Sequence, residues 1–77
     1  MKSYDYPVII KPDISGGYVI SCPTFQGCYS QGETVDEALK NIKEVIELCI
    51  EELIDEGLGV PSPLDLIVQK VAVDYDA

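Results

Sequence analysis

Carboxylates are the one abundant reactive group in this 77-residue chain: fourteen Asp and Glu stand against five Lys, with no Arg and no His, for a formal net charge of −9. Carboxylates can gather Mg²⁺ for phosphoryl chemistry, and Asp5, Asp13 and Glu33 are the candidates for such a group. Two-metal catalysis needs several of them converging on ions about 4 Å apart. Asp13 falls among turn residues and Glu33 directly precedes a helix start, so a metal-dependent nuclease is the weakest reading. The lack of His removes the commonest general base, the Ser-His-Asp and Cys-His nucleophile pairs, and the usual zinc ligand set. Gly16-Gly17 has the form of a hairpin turn rather than of a phosphate loop. Tyr18 and Tyr29 have no cation nearby in sequence to activate a phenol, and read as core or interface residues.

The acids are not spread evenly. Nine lie between Glu33 and Glu56, against Lys40 and Lys43 alone, so this stretch carries −7 of the total. At about 100° per residue from Val35, Asp36, Glu37, Glu44, Glu47, Glu51 and Asp55 fall at roughly 100–200°, away from an apolar stripe centred near 0°. One outer face of a helix is therefore acidic, either simply solvated or a docking surface for a basic protein. Two apolar residues miss the stripe, Leu48 at roughly 220° and Ile54 at roughly 100°. Leu48, with Val45 beside it, is the candidate apolar anchor of a helix-mediated contact. Glu37, Glu44, Glu47, Leu48, Glu51 and Asp55 are thus the candidate partner-binding residues. The same charge balance disfavours nucleic acid, whose affinity comes from cations and whose base reading leans on Arg.

The elements that position this face follow from local patterns. Tyr6 to Lys11 is rich in β-branched residues and is followed by turn formers from Pro12 to Gly17, which predicts a strand and a hairpin loop. Tyr18 to Cys22 reads as a second strand, stopped by Pro23, and Cys28 to Gln31 as a short third, ended by Gly32. Thr34-Val35-Asp36-Glu37 is a capping box. Apolar residues at 35, 38, 39, 42, 46, 49, 50 and 53 then recur with helical spacing, and Gly57, Gly59, Pro61 and Pro63 stop the run. The helix is expected from about Val35 to Glu56. Leu66 to Val73, again rich in Val and Ile, reads as a closing fourth strand, and the tail from Asp74 is polar. The expected fold is α+β, in the order β-β-β-α-β, with a mainly antiparallel sheet and one long helix packed on one face.

Length permits a single domain spanning residues 1–77. A domain of this size buries only roughly 60% of its unfolded surface, so further burial against a second copy or a partner would add stability. Tyr18, Ile20 and Cys22 alternate with Val19 and Ser21, and Val8 and Ile10 with Pro7 and Ile9, so apolar side chains fall on both sheet faces: either they simply stay partly exposed, or the open face or a sheet edge is buried by a partner or by a second copy in a homo-oligomer, dimer or tetramer. No apolar run approaches a membrane span and the N-terminus lacks the apolar core of a secretory signal. Cys22, Cys28 and Cys49 form no CxxC pair and are odd in number, which reads as reduced core thiols in a cytoplasmic protein.

The run from Gly17 to Ala38 carries a more specific pattern: Gly17-Tyr18 opening a strand, Pro23, the Gly27-Cys28 step, Ser30-x-Gly32-x-Thr34, and Glu37-Ala38 opening an acidic helix. It resembles the HicB-like antitoxin family, whose fold is a partial form of the ribonuclease H fold, and the resemblance extends over nearly the whole chain. It implies that Gly17, Tyr18, Pro23, Gly27, Cys28, Gly32, Thr34, Glu37 and Ala38 are structural positions. It further implies an antitoxin that binds a small basic ribonuclease toxin, HicA, and masks the surface through which that toxin cuts mRNA. Many family members continue into a helix-turn-helix or ribbon-helix-helix domain that binds the operator. This chain stops at Ala77, so no separate C-terminal DNA-binding domain is expected. The acidic metal cluster of ribonuclease H enzymes has no counterpart to carry over, so no enzymatic activity and no cofactor are expected. The alternative is an orphan of the same fold, a self-associating scaffold or binding protein without a toxin.

Overall fold

In the computed structural model, which describes residues 3–76, three short strands precede one long helix. Strands β1 (Ile9–Pro12), β2 (Tyr18–Ser21) and β3 (Tyr29–Gly32) form an antiparallel sheet in the order β1-β2-β3, and helix α1 spans Val35–Asp55. The register sorts the side chains into two faces. The rows Ile10–Ile20–Ser30 and Pro12–Tyr18–Gly32 share one face, and Ile9–Ser21–Tyr29 and Lys11–Val19–Gln31 share the other.

The helix begins where the capping signal places it. Thr34 is extended, and its hydroxyl accepts a hydrogen bond from the Glu37 amide at 3.1 Å. A cap of this kind contributes about 1 kcal/mol, and Asp36 and Glu37 complement the positive end of the helix dipole. At the other end Gly57 takes a positive φ of 78°, its amide bonds the Ile54 carbonyl at 2.9 Å, and the Leu58 amide reaches the Leu53 carbonyl at 2.8 Å. These two bonds close a Schellman turn, which needs the left-handed conformation that glycine adopts without a Cβ penalty.

Ile20, Cys22, Phe25, Cys28, Ala38 and Ile42 form a small buried core, flanked by half-buried Tyr6, Val8, Ile10, Tyr18, Val45, Ile46, Cys49, Ile50 and Leu53. The loop between β2 and β3 joins it by folding inward, with the Cys22 amide bonded to the Cys28 carbonyl at 3.1 Å. Phe25 meets the Tyr6 ring edge-on at 4.9 Å between centroids. The Tyr6 hydroxyl in turn donates to the Pro61 carbonyl at 2.8 Å, and the Leu64 amide donates to the Thr24 hydroxyl at 3.3 Å. These two bonds moor the chain after the helix beside the start of β1.

Beyond that mooring the expected fourth strand is not formed. Residues 58–76 carry no helix or strand, and Ile67, Val68, Val71, Val73 and Tyr75 are 77–88% exposed. The sequence preference is genuine, but β-branched residues only favour an extended backbone; a strand exists when its amides and carbonyls meet a neighbouring edge. Within one chain this segment meets none. The order is therefore β-β-β-α, an α+β fold with the expected antiparallel sheet and long helix. The open sheet face is also less apolar than the alternation of residues implied, because Lys11, Ser21 and Gln31 interleave with Ile9, Val19 and Tyr29.

Candidate functional site

The core contacts of α1 fix which side of it faces solvent. Ala38 and Ile42 are buried, and Val45, Ile46, Cys49, Ile50 and Leu53 pack against the core. On the β3 side, the Asn41 side-chain amide donates to the Gln31 carbonyl at 2.7 Å and stops the helix from rolling. With rotation fixed, Glu37, Glu44, Glu47, Leu48, Glu51 and Asp55 are all exposed along one face, a stripe about 27 Å long from first residue to last.

Leu48 is 64% exposed, with acids one turn away on either side at Glu44, Glu51 and Glu52. An apolar residue ringed by charge has the layout of an interface anchor with a polar rim. Val45, named with Leu48 from the sequence, is half-buried. It sits against the core, because its position near 280° on the helical projection lies toward the sheet. Ile54, 55% exposed, stands apart from Leu48 across the acidic face. The last helical turn holds no basic residue, so Glu51, Glu52 and Asp55 add to the negative end of the helix dipole and concentrate the potential at the C-terminal half.

The other sequence candidates are dispersed. Asp13 lies in the hairpin loop, where it accepts a hydrogen bond from the Ser15 hydroxyl, and Glu33 immediately precedes the helix cap. Among the described residues no three His, Cys, Asp or Glu side chains are grouped to hold a metal ion. Tyr18 is half-buried on the helix side of the sheet, and Tyr29 is exposed on the other side.

Cys22 and Cys28 are buried and Cys49 half-buried, all as free thiols. Burial, followed by the neighbouring thiols of Cys49 and Cys22, pushes Cys28 up to about 12 from an ordinary value of 9.0. A thiol so held is a packing group and a poor nucleophile. Because the unfolded chain releases this proton near pH 9 while the folded chain keeps it, stability is retained below pH 9 and falls as pH rises toward 12. The loss is at most about 1.4 kcal/mol per pH unit. Urea unfolding from pH 8 to 11 checks this, with Cys28→Ala expected to flatten the alkaline decline.

The positions set out for structural reasons occupy turns and close contacts. Gly17 and Gly27 have positive φ, Tyr18 opens β2, Pro23 follows it, Cys28 precedes β3, and Thr34, Glu37 and Ala38 make the helix start. Gly32 ends β3 directly beneath that start: a Cβ built there would lie 2.5 Å from the Ala38 nitrogen. Residues 6–77 match the family model described as the HicB_like antitoxin of bacterial toxin-antitoxin system. The chain belongs to the HicB-like antitoxin family. It is 47% identical over 70 residues to the UPF0150 protein ssr1765 of Synechocystis sp., an alignment covering 91% of this chain and 87% of that one. It is 46% identical over 56 residues to the UPF0150 protein Ta0767 of Thermoplasma acidophilum, covering 73% of this chain and 81% of that one. It is also 30% identical over 63 residues to Antitoxin HicB 1 of Photorhabdus laumondii, covering 82% of this chain but only 41% of that protein.

In this HicB-like fold the turn positions shape the sheet and the helix start, while the exposed acidic stripe lies on the helix. The sequence missed Asn41 and Tyr6 as positioning groups. Each acts on a backbone carbonyl far along the chain, at Gln31 and Pro61, and neither spacing leaves a local signal. Among the described residues, no helix is long and apolar enough to cross a membrane.

Proposed function

We propose that this chain is the antitoxin of a toxin–antitoxin pair and neutralises a small basic, mRNA-cleaving toxin of the HicA type by covering its RNA-binding surface. The observation that carries this reading, beside family membership, is the exposed helix face on which Glu44, Glu51 and Glu52 flank Leu48 within one turn and Glu37, Glu47 and Asp55 extend the acidic stripe. A ribonuclease presents cations to RNA, and a carboxylate-lined helix competes for the same cations. Neutralisation is then by steric masking, with charge steering the encounter and Leu48 slowing release. It requires no catalysis and no cofactor from this chain, and no nucleic acid contact. The free thiols fit a cytoplasmic location, and the antitoxin works as a homo-oligomer.

The experiment is co-expression with the small basic protein encoded beside this chain, followed by light scattering and an RNA-cleavage assay. A stoichiometric complex in which cleavage is abolished is the expected result. A lone assembly of this chain beside a freely active neighbour overturns the toxin reading and leaves the orphan scaffold. Stopped-flow association is expected to slow about tenfold between low and physiological ionic strength, with little change in dissociation; an association rate indifferent to salt would remove the steering role of the helix.

A further inference from the structure

Beyond the mooring at Pro61 and Leu64, every residue from 65 to 76 is exposed. The accessible surface is 6513 Å², whereas a folded monomer of this mass has about 4,600 Å². The radius of gyration is 15.3 Å, with extents of 52 × 26 × 20 Å, against about 11.5 Å for a compact chain of this length. The excess surface, roughly 1,900 Å², is of the size that stable interfaces bury. Residues 66–75 are exposed at every position, Ile67, Val68, Val71, Val73 and Tyr75 nearly fully.

Residues 66–75 are patterned as a strand. Ile67, Val71, Val73 and Tyr75 fall on one side of an extended chain, with Gln69 between them, and Leu66, Val68, Lys70, Ala72 and Asp74 fall on the other. The sheet has two edges. Beside β3 lies a polar hollow lined by Asp13, Gln31, Glu33, Glu37 and Asn41, and the Gln31 carbonyl is already bonded to Asn41. Just ahead of β1, between residues 4–8 and the helix, lies a mainly apolar groove of about 700 Å³ lined by Tyr4, Tyr6, Val8, Leu39, Ile46 and Ile50, together with the charged Asp5, Lys43 and Glu47. An apolar strand suits the second edge and not the first.

We infer that two copies of this chain exchange these segments, residues 66–75 of each adding a strand to the β1 edge of the other over the groove between Tyr4–Val8 and α1. Charge permits this where it would oppose most other contacts between two chains of net charge −9. The acids are concentrated on residues 33–56, while residues 58–73 hold only Asp65 and Lys70 and are neutral. The mooring at Pro61 and Leu64 places the root of the segment beside β1, and eleven extended residues beyond Leu64 reach about 36 Å. Reciprocal exchange satisfies both copies with the same contacts, as a two-fold assembly requires, and supplies the fourth strand that the sequence calls for.

The inference deepens the self-association named above and does not depend on a toxin. Its test compares the full chain with the double variant Val71→Lys/Val73→Lys by light scattering and amide hydrogen exchange. Both side chains are exposed within one chain, so the substitutions leave the monomer fold intact, and circular dichroism verifies this. The expected result is a wild-type mass of two chains, or four, falling to one chain of 8.4 kDa in the variant. Amides of 66–73 and of β1 should lose protection together while those of β3 are unchanged. A wild-type mass unaffected by the variant overturns strand exchange and leaves self-association standing. A wild-type monomer overturns both. Tail protection in a monomer, or only after a basic partner is added, assigns the segment to its own sheet or to that partner and overturns the exchange. Loss of protection at β3 instead of β1 overturns the choice of edge.

Discussion

Replacing Leu48 by Asp is expected to weaken binding of the proposed basic toxin at least about 30-fold while moving the unfolding free energy by no more than about 0.5 kcal/mol. The separation of the two effects follows from position. Leu48 is 64% exposed and belongs to none of the core contacts of α1, so the folded chain gains little from its methyl groups. In a complex those groups would be covered, and a new carboxylate would be desolvated beside Glu44, Glu51 and Glu52. The loss corresponds to about 2 kcal/mol and falls on the dissociation rate, since one more negative charge preserves or increases attraction for a basic partner. Glu44→Gln and Glu51→Gln are expected to act on the association rate and to lose their effect at high salt. Titration calorimetry with the purified toxin and urea unfolding of the isolated chain read the two quantities separately. A Leu48→Asp chain that binds and neutralises normally would place the anchor elsewhere.

The largest stability effect is expected at Gly32. Even alanine there puts its Cβ 2.5 Å from the Ala38 nitrogen and 2.9 Å from both the Ala38 Cα and the Glu37 carbonyl carbon. All three are backbone atoms of the helix start, so no side-chain rotation relieves the clash. The helix must lift from β3, exposing Ala38, which is wholly buried, and stretching the Asn41 to Gln31 hydrogen bond. A cost of about 2–4 kcal/mol follows, set against a total of roughly 4–12 kcal/mol for a domain of this length. Gly59→Ala is the control: nothing lies within 4 Å of a Cβ at Gly59 and its φ is not positive. A urea midpoint lowered for Gly32→Ala and unmoved for Gly59→Ala is the expected pair of results. Equal midpoints would mean that the helix does not depend on this close approach.

These two sites differ in how they could be read from residues alone. The Thr34 to Glu37 box, the helical recurrence of apolar residues and the Gly57 stop located α1 to within a residue, because caps and amphipathic spacing are local and the helix closes its own hydrogen bonds. Leu48 was visible for the same reason, as an apolar residue outside the stripe. Val45, at the stripe edge, could be read either way, since such a residue is turned in or out by the sheet that it meets, and here it packs against the core. Gly32 stood in a family pattern, yet why it must be glycine became apparent only when the helix start was found resting on it.

The fourth strand marks the boundary most clearly. Sequence by itself determined the acidic helix, the antiparallel hairpins, the absence of His-based chemistry and the β-patterned segment from Leu66 to Val73, all of which follow from residue type and short-range spacing. Only the tertiary structure decided which sheet face the helix covers, that Asn41 and Tyr6 fasten distant carbonyls, that a mainly apolar groove lies ahead of β1 and a polar hollow beside β3, and that the last apolar segment pairs with neither edge. The reason is physical: a helix satisfies its backbone within one stretch of chain, whereas a strand is completed only by an edge supplied from elsewhere.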